Sequence, residues 1–240
     1  MGKILRSHVF SGILLYLAFL VATIPASMMD VISNRLSSGK IRFSDAEGSF
    51  WKGSATLGVL GREGERFSWK IFPGEMLRGK VHASVMEGGR RMDVIASPDM
   101  LQLKDVSLTL PASILALTGK GIESIDPGGE FQIEARDFVV SKSMKGSITG
   151  KWMNASSSVS SINPLGSYVF SGKGKDRSIE LSLDTLNGPL ILKGTGSWSE
   201  KEGLRFSAMG ESKSEGVSDL LRVLGTPVGD GLYSLKPVKF

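Results

Sequence analysis

Pro127-Gly128-Gly129-Glu130-Phe131-Gln132-Ile133-Glu134-Ala135-Arg136 joins a turn signal to strict alternation, with Phe131, Ile133 and Ala135 opposed to Gln132, Glu134 and Arg136. Successive side chains of a strand point to opposite faces, so this period of two reads as a strand with one buried face and one wet face. The reading extends both ways along the chain. Upstream, Val81, Ala83 and Val85 alternate with Lys80, His82 and Ser84, and Val106, Leu108 and Leu110 alternate with Ser107 and Thr109. Downstream, Ile179, Leu181 and Leu183 oppose Glu180, Ser182 and Asp184, while Leu204, Phe206 and Ala208 oppose Arg205, Ser207 and Met209. Turn signals punctuate these runs: Gly61 to Gly64, Gly88-Gly89, Pro127 to Gly129, Gly172 to Gly174, Asn187-Gly188-Pro189 and Gly203. Gaps this short cannot hold crossover helices, so the strands are expected to run antiparallel.

Two later segments read as helices: Pro111 to Leu117, with Pro111 in the first turn, and Val217 to Leu224, stopped by Gly225. Both are short and are expected as caps on one large curved sheet. The composition, with Gly 30 against Pro 9 and no repeat or low-complexity run, fits a mainly β domain with many turns. A boundary could fall at 122–129, but one continuous sheet is the preferred reading over two domains.

The N-terminus differs in kind. Lys3 and Arg6 precede a stretch from Ser7 to Met29 that carries no Asp, Glu, Lys or Arg, and Asp30 restores charge. As a helix at about 1.5 Å per residue that stretch extends roughly 30 Å, the thickness of a bilayer's hydrocarbon. Basic residues on its amino side keep the short N-terminus in the cytoplasm and export the remainder of the chain. A cleaved signal peptide has the same opening signature. A cut after Ala26, however, would put Ile24 three residues before the site, and a cut after Ser27 would put Pro25 there. An uncleaved anchor is the preferred reading. The expected organisation is residues 1–8 cytoplasmic, 9–29 a transmembrane anchor, 30–39 a stalk and 40–240 an exported antiparallel β domain.

Several function classes lose their chemistry. Cysteine is absent, which removes disulfides, thiolate nucleophiles and cysteine metal sites. There are 2 histidines, His8 at the membrane boundary and His82 on a wet strand face, so placed that neither a histidine-based triad nor a multi-histidine metal site can be assembled. No Gly-x-Ser-x-Gly, His-Glu-x-x-His or phosphate-loop pattern is present. Gly119-Lys120-Gly121 and Gly194-Thr195-Gly196 lack a strand-to-helix context and read as turns or bulges. No spacing singles out a carboxylate pair for glycosidase chemistry. The net charge is +5, of which Lys3 and Arg6 supply two, leaving +3 spread over the rest as single residues or pairs. That is not the clustered stripe nucleic acid requires; anionic lipid near the anchor is the better use. No enzymatic activity, cofactor or metal is expected.

The four tryptophans, Trp51, Trp69, Trp152 and Trp198, each sit in a strand-like context beside Gly or Ser. Core packing with a hydrogen-bonded indole N–H is the ordinary use of such residues. Glu47-Gly48-Ser49-Phe50-Trp51-Lys52-Gly53-Ser54-Ala55, followed by Phe67-Ser68-Trp69-Lys70-Ile71-Phe72-Pro73 and Leu77-Arg78-Gly79, resembles the N-terminal signature of the type II secretion system protein N family, also called general secretion pathway protein N. Later landmarks come in the same order: Gly150 to Ala155 around Trp152, then Pro164-Leu165-Gly166-Ser167-Tyr168, Gly188 to Trp198, and Leu220 to Gly225 before Gly229-Asp230-Gly231. The resemblance covers nearly the whole chain.

What it implies is an accessory or assembly component of the bacterial inner membrane, single-pass, with most of its chain in the periplasm. Such a protein would support a machine that moves folded proteins across the outer membrane of Gram-negative bacteria. Its partners would be other inner-membrane components of that machine, with secreted cargo or phospholipid as further candidates. The family provides no catalytic residues to carry over. The motif residues Gly48, Trp51, Gly53, Trp69, Pro73, Trp152, Gly166, Tyr168, Trp198 and Gly225 are therefore read as structural or interface positions. An exposed edge strand would suit docking. The anchor-plus-sheet plan also looks similar to AsmA-like envelope proteins, which keeps open a periplasmic carrier of lipid or another hydrophobic ligand. An unfilled apolar groove would favour that alternative.

Overall fold

The chain's computed structural model describes residues 2–118, 120–212, 217, 220–222, 225–229 and 231–235, and for residues 2–9, 11, 118, 120 and 121 the backbone alone. Helix α1 (Gly2–Ala22) leads through a short turn into α2 (Met28–Leu36). Next come β1 (Ile41–Gly48), β2 (Lys52–Val59), β3 (Arg62–Ile71), a single turn α3 (Pro73–Met76), β4 (Val81–Glu87), β5 (Arg90–Ser97), β6 (Met100–Lys104) and β7 (Val106–Pro111). The later strands are β8 (Gly128–Val140), β9 (Lys145–Ser156), β10 (Gly166–Lys175), β11 (Ser178–Asn187), β12 (Leu190–Ser199), β13 (Gly203–Ser212), β14 (Gly225–Gly229) and β15 (Leu232–Leu235). All of them join one 15-stranded sheet, each neighbour antiparallel. The mainly β, antiparallel expectation with few short helices is what the structure shows.

Strands keep chain order in the sheet until β6 and β7, which share one neighbour. The end of β8 pairs with β6, through Leu103 and Phe138, and its beginning pairs with β7, from Val106 opposite Ala135 to Pro111 opposite Glu130. Asp105 and Asp137 mark the break, both with positive φ (48° and 43°). Opposite β9, β8 carries an extra residue between Arg136 and Val139, and such a bulge bends the strand and resets which side chains face inward. Leu103 with Val106, and Ala135 with Phe138, thereby reach the same side and pack in one core cluster. The free edge of β7 does not face solvent. Glu87 on β4 accepts the Thr109 N–H at 3.0 Å and Arg90 on β5 donates to Ser107 at 2.8 Å, so β3 to β5 fold back over β7 and the sheet is strongly curved.

The pairing register carries one apolar face around that curve. Trp69 opposes Val85, which opposes Met92; Ala135 opposes Ile148, and Ile148 opposes Gly172. Leu181 then opposes Gly196, which opposes Phe206, and Ala208 opposes Leu235. The core lies on this inner face in three clusters, centred on Trp69, on Phe138 with Met144, and on Trp152 with Tyr168. The outer face is polar and laced with ion pairs such as Lys151–Glu134 at 3.1 Å.

Four local expectations need correction. Gly172 to Gly174 do not turn the chain but lie inside β10, where the side chains of Ile148 and Ile179 occupy the space before Gly172. Gly194 and Gly196 are regular β12 positions under the Phe206 ring, not turns or bulges. Gly64 belongs to β3 and lies against the Pro111 ring. Pro111 closes β7 instead of opening a helix, and Ala112–Thr118 winds as a 3₁₀ segment, held by the Ser113 hydroxyl donating to the Val59 carbonyl at 3.0 Å. The helix expected over 217–224 falls partly outside the described residues; Val217 and residues 220–222 are helical, and Val217, Leu220 and Leu221 are buried.

Both sheet edges are guarded. Along β1, α2 supplies Asp30, which accepts the Phe43 N–H at 2.8 Å, and Ser37 Oγ accepts the Ile41 N–H at 2.8 Å. At the other edge β14 is short and carries Pro227, which has no N–H to offer a new strand.

Among the described residues no helix is long and apolar enough to cross a membrane. The apolar side chains of α1 from Phe10 to Val21 are exposed on every side of the helix.

Candidate functional site at the helix–sheet junction

A helix ends with carbonyls that have no partner inside it. At the end of α1 the turn between β1 and β2 provides for them. Trp51 Nε1 donates to the Val21 carbonyl at 2.7 Å and the Phe50 N–H donates to the Ile24 carbonyl at 2.8 Å, while the Gly48 carbonyl accepts the Ala26 N–H at 3.1 Å. The turn is itself held from behind. Trp69 Nε1 donates to the Phe50 carbonyl at 2.9 Å, and the Ile71 N–H donates to the Trp51 carbonyl at 2.7 Å. Phe50 meets Trp51 edge to face with ring centres 5.2 Å apart. Ala26, Ala55 and Trp69 are buried together beneath, with Met29, Phe43 and Ile71 packed around them.

Gly53 is required by close approach. A Cβ there would stand 2.6 Å from the Glu47 carbonyl oxygen and 2.7 Å from the Trp69 ring. The structure thus brings Gly48, Trp51, Gly53 and Trp69 into one clamp that grips the end of α1. Pro73 lies just beyond it, exposed, as the first residue of α3.

The remaining motif residues lie elsewhere. Tyr168 has no exposed surface, and its hydroxyl is 3.1 Å from the carbonyls of both Leu165 and Leu190. Burial pushes the phenol's pKa far above its ordinary value. Trp152 donates to the Gly128 carbonyl at 2.8 Å, with its ring centre 5.9 Å from that of Tyr168. Gly166 adopts φ 145°, where a side chain would run into the Asn187 carbonyl. These three build the distal core. Trp198 lies between on the inner face, opposite Ile179, and Gly225 opens β14.

The outer face above the clamp holds a cleft of about 580 Å³ lined by Glu47, Lys52, Ser68, Lys70, Ser84 and Arg91 among others. Near it His82 Nε2 is 3.2 Å from Asp93 and Arg91 is 3.3 Å from the same carboxyl. Partial burial raises the Asp93 pKa, but hydrogen bonds from Arg91, His82 and Ser84 outweigh it and the net shift is downward. On the seam between β4 and β7, burial outweighs the Thr109 hydrogen bond and raises Glu87.

Sequence reasoning missed the partners of the clamp. Val21 and Ile24 act through backbone carbonyls, which leave no side-chain signature. Asp30 was legible only as the first charge after the apolar stretch, and its role as an edge cap depends on where α2 lies.

A family model described as type II secretion system (T2SS), protein N, matches residues 39–236. No curated protein and no solved structure matches the chain. The match starts just before β1 and runs to the end of the sheet, taking in the clamp turn and the distal core alike. The chain therefore belongs to the type II secretion system protein N family.

Proposed function

We propose that this chain is a single-pass, inner-membrane accessory component of the type II secretion system, with α1 as its anchor and its curved sheet in the periplasm. The observation that carries the proposal is the clamp. Family-matched residues Gly48 to Trp69 bond directly to the end of an apolar helix, so the sheet is held against that helix and not hung on a loose linker. A rigid mount suits a protein that presents a surface to membrane-bound partners. Guarded edges make strand addition a poor docking mode while α2 stays in place. The outer face is the better docking surface.

A second reading is favoured by one observation, the continuous apolar inner face running from Trp69 to Leu235. A lipid or other hydrophobic ligand would lie along it. Phe206 over Gly194 and Phe131 over Gly150 already fill part of that space with the protein's own side chains, which favours the first reading.

Two positions on one strand separate the readings. Met209 points outward and Phe206 inward on β13, and each is replaced in turn by a photoreactive residue in cells at native expression. Adducts from Met209 to other secretion-system components support the docking role. Adducts from Phe206 dominated by phospholipid, with none to protein from Met209, would reverse the order of the two. A periplasmic reporter fused after Phe240 is expected to be active, and an inactive one at normal abundance would overturn the proposed orientation.

A further inference from the structure

The register places several features at one end of the sheet. Gly48 and Lys52 close the β1–β2 turn, Ile71 ends β3 and Val81 begins β4, so the clamp turn and the loop from Phe72 to Lys80 project from the same end, the one to which α1 is bonded. At the tip of that loop Leu77 is 92% exposed, the highest value among the large apolar side chains described, and the neighbouring Met76 is 38% exposed. Arg78 and Lys80 come next, both exposed, with Arg78 3.3 Å from Glu75. The loop is held by its own hydrogen bonds: the Lys80 N–H donates to the Glu75 carbonyl at 3.1 Å and the Phe72 N–H to the His82 carbonyl at 3.0 Å. A bare Leu on a soluble surface needs no explanation. A Leu fixed at a loop tip beside the end of an apolar helix, with cations just behind it, does.

We infer that the loop from Pro73 to Lys80 is a second membrane contact, which inserts Leu77 and Met76 into the interface of an anionic bilayer while Arg78 and Lys80 meet its headgroups. This rests on the anchor reading of α1 given above. Apolar side chains gain by entering the acyl boundary, and each cation near an anionic surface adds to the attraction. Trp51 and Phe50, at the level of the last turn of α1, would sit in the same layer, where amphipathic rings collect. The anchor fixes one point and the loop a second, so the sheet would stand on the membrane at a defined tilt.

The absence of cysteine allows clean labelling. Leu77→Cys, Leu15→Cys on α1 and Glu63→Cys at the opposite end of β3 each receive an environment-sensitive fluorophore in the full chain. The chain is then reconstituted into vesicles of phosphatidylethanolamine and phosphatidylglycerol. A nitroxide quencher carried on lipid should cut emission several-fold at positions 15 and 77 and leave position 63 unchanged. With phosphatidylcholine alone, or with Arg78→Glu and Lys80→Glu together, quenching at position 77 should weaken while position 15 stays the same. Position 77 behaving like position 63 while position 15 is quenched would overturn the inference and leave the anchor standing. Position 15 behaving like position 63 would remove the anchor and this inference with it. Equal quenching at position 77 in both lipids would refute the headgroup contact.

Discussion

The junction and the distal core are built from the same residue types and use them differently. In both, a tryptophan N–H reaches a backbone carbonyl and a glycine admits a neighbour where no side chain would fit. In the distal core such bonds close on the sheet or on the residue just before one of its strands: Trp152 to Gly128, Tyr168 beside Leu190 and Leu165. At the junction Trp51 bonds outward, to a helix that precedes the family-matched region. Aromatic and glycine motifs thus mark two jobs, making the sheet and mounting it. Removing one should have consequences distinct from removing the other.

The strongest break is expected at Tyr168→Ala. The phenol is fully buried against Trp152, and truncating a large aromatic in such a place costs about 4 kcal/mol through lost burial and the cavity left behind. Chemical denaturation should show a lower midpoint for the whole sheet; an unchanged midpoint would deny that this cluster is the distal core.

Gly53→Val comes next. Its Cβ would meet a carbonyl and the Trp69 ring, and such overpacking costs about 2 kcal/mol. Reduced abundance of the full chain in cells, with a protease cut gained near residues 23–27, is the expected result. Normal abundance with an intact junction would count against the clamp.

Tyr168→Phe refines the first comparison. It keeps the ring but leaves the Leu165 and Leu190 carbonyls without the hydroxyl, for a loss of about 1 kcal/mol. A loss as large as that of Tyr168→Ala would mean the hydroxyl and not the packing governs the core.

The smallest effect belongs to the seam where β4 meets β7. Because the folded pKa of Glu87 lies above its unfolded value, its favourable contribution is complete below the unfolded pKa and is lost as pH rises through the raised one. Glu87→Gln should flatten that part of the pH–stability profile. An unchanged slope would show that another group sets it.

Much of the sheet was legible from the alternation of residues such as Val81 to Val85 and Ile179 to Leu183, because a half-buried antiparallel strand must alternate. Glycine defeated the same reasoning at Gly172 and Gly194. A residue without a side chain marks a turn or a place where a neighbour's ring fills the pleat, and only the neighbour decides which. Pro111 was ambiguous for a related reason: its fixed φ suits a first helical turn, yet a residue at a strand end has no inward N–H to lose. The fold-back of β3 to β5 over β7 goes with the break at Asp105, the bulge at Asp137 and contacts far apart in sequence, which no local period encodes. Of the candidate site, the motif residues were visible, but their division between junction and core was not, since half of the clamp consists of backbone carbonyls from α1 and the residues after it.

Hydrogen exchange on the reconstituted full chain, comparing Trp51→Phe with Trp152→Phe, tests that division most directly. Each change removes one indole N–H and keeps an aromatic ring. Trp51→Phe should speed exchange at residues 23–28 and 48–51 and leave the amides of β8 to β13 protected, whereas Trp152→Phe should speed exchange through β8 to β10 and leave the junction as it was. Faster exchange throughout the sheet in Trp51→Phe, or no change around residues 23–28, would contradict the claim that this turn is the mount joining helix and sheet.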